Sequence, residues 1–141
     1  MSYVVTGIPQ LIVPLIWDQA EPFLKAAVDE SNGETSLELV YSDALSGDGL
    51  LVLIYKDKTV VGAANLRKQI FETGKEALMV NLLGGTNMQE WINDAHYVAT
   101  QIAKAKGCSE VYCVGRAGWE KVLKGIGYSK AYTLMSFKVE E

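Results

Sequence analysis

A strand–helix–strand unit in the second half of the chain constrains the fold more than any other feature. Residues 77–83 form an almost wholly apolar run, as expected for a strand covered on both faces of its sheet. Over residues 88–103 apolar side chains recur at helical spacing, and Gly107 ends that pattern. Residues 110–114 give a second strand. Two strands joined through a helix pair in parallel with a right-handed crossover, so the sheet contains a parallel pair.

The same periodicities predict elements on both sides of this unit. Residues 14–30 have helical spacing with Pro22 inside the run, and Thr35 with Glu38 matches a capping box for a second helix. The other predicted elements are strands at 50–55 and 59–68, a short helix after Gly115 and an alternating strand at 131–139. The predicted order is α-α-β-β-β-α-β-α-β, a mixed α/β (α+β) sheet flanked by helices in one domain over residues 1–141.

The charge balance limits the class of partner. The 141 residues carry 13 Lys and Arg against 17 Asp and Glu, a net charge of −4, which argues against a general nucleic-acid binder. Residues 1–50 hold eight of the acids and one base, whereas residues 51–141 hold nine acids and twelve bases. An acidic first part would favour a cationic amine, and a basic second part an anionic ligand. The same partition would also suit a protein–protein surface or ordinary solvated helix faces.

The sequence shows no membrane segment, leader or metal-binding motif. An early apolar run at residues 11–17 is interrupted by Pro14 and is too short to span a bilayer. Cys108 and Cys113 have no Cys or His companions at the spacing of metal ligands. We therefore expect a cytoplasmic protein with no metal, no disulfide and no membrane partner.

The segment that follows the second strand of the unit carries a family resemblance. The run from Gly115 to Trp119, together with Gly127-Tyr128, is similar to the closing strand-to-helix segment of the GNAT family, the acyl-CoA-dependent N-acyltransferases. The element order agrees with that family over residues 10–139. A narrower set resembles small GNAT-like proteins encoded by tailed bacteriophages: Trp91, Ala103-Lys104, Gly107-Cys108 and the same closing segment.

The resemblance implies a site for acetyl-CoA (coenzyme A). The backbone of Asn81, Leu82 and Leu83 would bond the pantetheine arm as an added strand, and the pyrophosphate would lie on free amides where the long helix begins. The residues implied for the phosphates are Gly84, Gly85, Thr86 and Asn87, with Arg116 from the short helix. Considered without the family, the two glycines equally suit a tight strand-to-helix turn, and Arg116 equally suits an ion pair that fixes its own turn.

The sequence departs from the family pattern at three places. No Arg or Lys lies between Leu82 and Trp91, where the phosphate loop of the family normally has Arg or Gln followed by glycines. Arg116 stands where the family often has Asn. Leu123 stands where the family often has a Tyr that acts as general acid. An apolar side chain cannot protonate a departing thiolate, so another group or solvent would have to serve.

Four side chains are candidates for catalysis. Glu72 and Glu76 flank the start of the central strand and could take a proton from an amine through water, or be solvated loop acids. His96 is the one histidine and lies beside the apolar face of the long helix, which also suits a boundary position. Tyr128 is expected to anchor the head of the last strand.

Two functions agree with these residues. The first is an N-acetyltransferase of GNAT fold that moves an acetyl group from acetyl-CoA to an amine, with central-strand amides polarising the carbonyl. The second is a non-catalytic GNAT-like bacteriophage protein with a degenerate coenzyme A site, acting in the virion or on a host partner. Either protein could form a homo-oligomer. A fold does not by itself decide between an enzyme and a binding protein.

Overall fold

One mixed sheet organises the structure, a computed structural model that describes residues 3–31, 33–114 and 117–139. In chain order the elements are β1 (Tyr3–Ile8), α1 (Val13–Asp29), α2 (Leu37–Ser46), β2 (Leu50–Lys56), β3 (Thr59–Ile70), β4 (Glu76–Gly85), α3 (Met88–Ala105), β5 (Glu110–Cys113) and α4 (Ala117–Lys124). The strands lie side by side in chain order, antiparallel except for the pair β4–β5. This parallel pair, joined through α3, is the one that the sequence predicts.

The two ends of the predicted element order differ from the structure. The strand β1 was not predicted, because it is short, contains Gly7 and has no clear alternation of apolar and polar residues. The predicted strand at 131–139 is wrong, since these residues form neither helix nor strand. A strand needs a backbone partner as well as an alternating pattern, and β5, with four residues, offers only a short edge.

The helices α1 and α2 cover one face of the sheet, and α3 and α4 cover the other. Successive side chains of a strand point to opposite faces, and β2 contributes to both cores in this way. Leu51 and Leu53 pack in the core beneath α1 and α2, whereas Val52 and Ile54 pack beneath α3. All four side chains are buried, which explains why the sequence of β2 is a continuous apolar run.

Trp91 anchors the core on the α3 face. Its side chain is fully buried beside Ile54 and Ile92, with Trp119 of α4 packed against the cluster. The indole Nε1–H donates to the carbonyl oxygen of Thr86 at 2.7 Å, so the polar end of this large aromatic side chain is satisfied. Trp91 therefore ties the beginning of α3 to the end of β4.

The segment after α4 leaves the core. Ile126 and Tyr128 are still half-buried, Ile126 against the core around Trp91, whereas Leu134, Met135 and Phe137 are 78%, 86% and 90% exposed. The side chains at 131–139 alternate between two sets that would face opposite sides of a strand. Neither set is buried, so the predicted strand has no buried face.

Residues 3–31, 33–114 and 117–139 contain neither a helix that could span a membrane nor a cluster of side chains that could hold a metal. None of the helices there has the length and hydropathy that a bilayer-spanning helix needs. No three His, Cys, Asp or Glu side chains there lie close enough together to hold a metal ion.

Ending the chain after Lys130 should change stability little, because the large side chains beyond it are exposed. We expect the free energy of unfolding in urea to fall by no more than about 0.5 kcal/mol. Leu53→Ala is the comparison, since Leu53 is fully buried and its truncation should cost about 2–5 kcal/mol. A truncated chain as unstable as Leu53→Ala would contradict the exposed position of this segment.

Candidate active site

An extra residue in β4 shapes the site. In the ladder between β3 and β4, Leu66 pairs with Val80 and Asn65 pairs with Leu82, which leaves Asn81 without a partner across the ladder. One extra residue reverses the face to which the following side chains point. Accordingly Val80 packs in the core beneath α3, whereas Leu82 packs in the core beneath α1 and α2.

The strand β5 accompanies β4 only as far as this bulge. The last pair is Val80 with Cys113, and the Val114 N–H donates to the Val80 carbonyl oxygen at 3.3 Å. Beyond this point β4 continues to Gly85, and within the described part of the chain it pairs there with β3 alone. Beyond Val80 and Cys113 the described part of β5 no longer accompanies β4, and we call the space left beside residues 81–85 the V-shaped opening, with its vertex at Val80 and Cys113.

Backbone groups of β4 point into this opening. The Thr86 N–H donates to the Val61 carbonyl oxygen of β3 at 2.9 Å, and successive residues of a strand turn their N–H and C=O groups to alternate sides. Leu83 and Gly85 therefore turn these groups away from β3 and into the opening, while Leu82 faces β3. Unpaired groups of this kind can bond an extended ligand as an added strand.

Gly84 and Gly85 lie inside β4 and do not form a turn. The space that their side chains would occupy is filled by the protein itself. A Cβ on Gly84 would lie 2.4 Å from the Phe23 carbonyl oxygen of α1, and a Cβ on Gly85 would lie 2.8 Å from the Trp91 ring. Close packing of α1 and Trp91 against β4 is thus sufficient reason for both glycines.

The beginning of α3 offers a phosphate group only its first backbone amides. Asn87 precedes the helix in the left-handed conformation, with φ 52° and ψ 42°, and its side chain makes no capping hydrogen bond. Glu90 in the first turn accepts a hydrogen bond from the Tyr3 hydroxyl at 2.5 Å. Residues 81–91 include no Lys or Arg, so an anion here would rely on N–H groups and the helix dipole, with a carboxylate nearby.

Three chemically active side chains meet on the α3 side of the opening. The Tyr128 hydroxyl is 3.0 Å from His96 Nδ1, and the two rings pack edge to face with centroids 5.1 Å apart. The same hydroxyl is hydrogen-bonded to the Cys113 thiol. Because Cys113 is the last residue of β5 to pair with β4, this cluster lies at the vertex of the V.

Burial keeps two members of the cluster protonated. It raises the pKa of Tyr128 well above its ordinary value, and the charge of an ionised Cys113 and the hydrogen bond to it act in the same direction. Burial also raises the pKa of the Cys113 thiol, against a smaller lowering by the hydrogen bond with Tyr128. Since the thiolate is the reactive form of cysteine, Cys113 is a poor nucleophile at neutral pH. Tyr128 retains its proton and can donate it.

The four predicted catalytic candidates fall into two groups. The structure brings His96 and Tyr128 together at the opening. Glu72 and Glu76 lie before and at the start of β4, and Glu76 is four residues, or about 13 Å of strand, from Val80 at the vertex of the opening. Glu76 forms an ion pair with Lys68 there.

The other residues singled out from the sequence have different outcomes. Arg116, expected to face the phosphates, lies outside the described residues. Leu123 belongs to α4, and its side chain is buried. It stands where the family often has its acid, and its side chain has no polar group. Cys113 was not predicted as a site residue, because nothing in the sequence shows where β5 parts from β4.

The architecture is that of the GNAT N-acetyltransferases, which confirms the predicted fold class. Ribosomal-protein-alanine N-acetyltransferase from Brucella melitensis biovar Abortus 2308 matches with a TM-score of 0.71 and 11% identity, over 99% of this chain and 100% of that chain. An aminoglycoside acetyltransferase from an uncultured soil metagenomic sample matches with a TM-score of 0.68 and 14% identity, over 98% and 97% of the two chains. AAC(6')-Iy, in complex with the bisubstrate analog CoA-S-monomethyl-acetylneamine, matches with a TM-score of 0.71 and 10% identity, over 99% of each chain.

At sequence identities of 11%, 14% and 10%, these similarities concern the fold alone. Neither a protein-family model nor a curated protein matches the sequence.

Alanine at Gly84 or Gly85 should destabilise the protein. Each new methyl group would meet backbone or a buried ring at 2.4–2.8 Å, which should lower the free energy of unfolding by about 1–3 kcal/mol. Gly7→Ala is the matched control, because a Cβ there meets only the Leu50 side chain at an ordinary 3.5 Å. Urea denaturation of the three variants tests this. If Gly85→Ala were as stable as Gly7→Ala, close packing would not be the reason for the glycine.

Proposed function

We propose that the protein is an N-acetyltransferase that takes its acyl group from acetyl-CoA and transfers it to a primary amine. The observation that carries this proposal is the unpaired edge of β4 beyond Val80, where Leu83 and Gly85 turn backbone groups into the V-shaped opening. Leu83 is half-buried and Gly85 is exposed, so these backbone groups are accessible to a ligand. An extended amide-containing ligand would satisfy them.

The residues of the opening suit one half of coenzyme A better than the other. The pantetheine arm contains amide groups, which Leu83 and Gly85 can bond as a neighbouring strand would. The phosphates would lie on the first amides of α3, which favour an anion through the helix dipole, without help from a cation within residues 81–91. We therefore expect binding in which the arm contributes more than the phosphates. When bound, the group supplies a thioester carbonyl that an amine can attack.

Tyr128 is proposed as the proton donor for the departing sulfur. Its hydroxyl lies at the vertex of the opening, hydrogen-bonded to His96, and carries its proton at neutral pH, and the burial that raises its pKa makes it a weaker acid than an exposed tyrosine. His96 holds the hydroxyl from behind through Nδ1 at 3.0 Å and can return a proton to it. This arrangement would replace the acid that the family often places where Leu123 stands.

The acceptor is proposed to be an amine that arrives as its ammonium ion and loses a proton to solvent before it attacks the thioester carbonyl. The first two helices and the segment between them carry exposed carboxylates that would attract a positively charged substrate. These are Asp18, Glu21, Asp29, Glu34 and Glu38, of which Asp29 is paired with Lys25 at 3.1 Å.

A second candidate function is a non-catalytic binding protein of the same fold. It is favoured by the engaged Thr86 N–H and by the absence of Lys or Arg from residues 81–91, which together weaken a coenzyme A site. In that case the protein would act through a protein partner, as a component of a bacteriophage particle or in the host cytoplasm. That bacteriophage assignment depends on the sequence resemblance alone.

Binding of acetyl-CoA decides between the two. Calorimetry should give a saturable heat, and amide NMR should show shifts for Leu83 and Gly85, which face the opening. The Leu53 amide, in the middle of the sheet, should stay unchanged. Absence of heat and of amide shifts at millimolar acetyl-CoA would refute the enzyme and favour the binding protein.

Tyr128→Phe should lower kcat for acetyl transfer to a model amine by about a hundredfold, because positioned general acids contribute at least that much. The Kd for acetyl-CoA should change far less than kcat. Tyr132→Phe is the matched control, since Tyr132 is 64% exposed and should keep the wild-type rate. An unchanged kcat in Tyr128→Phe would remove Tyr128 from the mechanism without touching the binding site.

A further inference from the structure

An apolar cavity of about 40 Å³ lies between the sheet and α3. Its wall is formed by side chains from all five strands and from α3 and α4, among them Val5, Val52, Val80, Ala99, Cys113 and Leu123. His96 and Tyr128 contribute polar groups to this wall. Apolar cavities of this kind stay dry, so the space is available to a hydrocarbon group at no cost of displaced water.

The cavity adjoins the vertex of the V-shaped opening. Val80 and Cys113 are both the last pair of the β4–β5 ladder and part of the cavity wall. Leu83 also belongs to both, because its backbone faces the opening while its side chain lines the cavity. A thioester whose arm lies along Leu83 and whose sulfur is near Tyr128 would thus have its acyl chain at the entrance of the cavity.

The size of the cavity sets the length of chain that fits. A water-sized sphere needs about 10–15 Å³ by the same measure, so 40 Å³ holds about three such spheres. That is roughly the space of three methylene groups. An acetyl group would leave most of the cavity empty, and an eight-carbon chain would exceed it.

We infer that this cavity receives the acyl chain of the donor, and that the preferred donor is therefore a short straight-chain acyl-CoA such as butyryl-CoA. This inference rests on the proposed acyltransferase function and refines its donor. Each methylene group buried in the cavity should tighten binding roughly fourfold. Butyryl-CoA, with two methylene groups more than acetyl-CoA, should bind about fifteenfold more tightly.

Calorimetry with acetyl-CoA, butyryl-CoA and octanoyl-CoA on the full chain tests this without relying on turnover. We expect butyryl-CoA to have a Kd about fifteenfold below that of acetyl-CoA, and octanoyl-CoA to bind more weakly than butyryl-CoA. The ratio of kcat/KM for the same donors, with one model amine, should follow the same order.

A substitution that fills the cavity provides the second test. Ala99→Leu adds three carbons to a buried residue of the wall and should reduce the preference for butyryl-CoA over acetyl-CoA to less than about threefold. Ala105→Leu makes the same change at an exposed position of the same helix and should keep the wild-type preference. If Ala99→Leu does not fold, the ratio of the Kd values of acetyl-CoA and butyryl-CoA for the wild-type protein still tests the inference.

The outcomes separate the two proposals. Equal or tighter binding of acetyl-CoA in the wild-type protein would overturn the acyl cavity and leave the acyltransferase proposal standing. A preference for butyryl-CoA that Ala99→Leu does not change, in a folded variant, would also overturn it. Failure of all three donors to bind would overturn both proposals together.

Discussion

The single extra residue in β4 is the constraint on which the rest of the structure depends. A regular strand would send Val80 and Leu82 into the same core and would keep its edge in register with a neighbour. With Asn81 inserted, Leu82 turns to the core beneath α1 and α2, and beyond Cys113 β4 continues paired with β3 alone among the described strands. The unpaired backbone of β4, the hydroxyl of Tyr128 and the apolar cavity all meet at that point. The chemistry proposed for the protein is thus a consequence of where one ladder loses its register.

Much of the fold can be predicted from the sequence, because the spacing of apolar residues along the chain reflects which side chains are buried. The apolar run of β4 and the one-sided pattern of α3 define the parallel unit, and the hairpin of β2 and β3 follows from two apolar runs around a short turn. The predicted N-cap of a helix can be wrong by one residue where two adjacent residues are both of a type that caps helices. The helix α2 is capped by Ser36, whose hydroxyl accepts from the Leu39 N–H at 3.2 Å, and not by the predicted Thr35. Both residue types cap helices well, and only tertiary packing selects between them.

The site is less predictable, because several physical causes give the same residue types. Glycine suits a turn, an anion cradle and a close contact equally well, and only the Phe23 carbonyl above Gly84 decides in favour of the contact. The pairing of His96 with Tyr128 joins residues that are far apart in the chain, so no local pattern indicates it. The alternation at 131–139 fulfils every local rule for a strand, yet a strand also requires a partner edge, which local rules do not describe.

The position of the V-shaped opening also bears on how the protein avoids aggregation. Unpaired strand edges at the rim of a sheet are templates on which the strands of other molecules can add. The unpaired groups of Leu83 and Gly85 lie on the side of β4 that β5 occupies only as far as Cys113, with β3 on the other side. This stretch of unpaired backbone is short, because β4 ends at Gly85. It is long enough for the amide groups of a small extended ligand, and it offers the strand of another protein only a few hydrogen bonds.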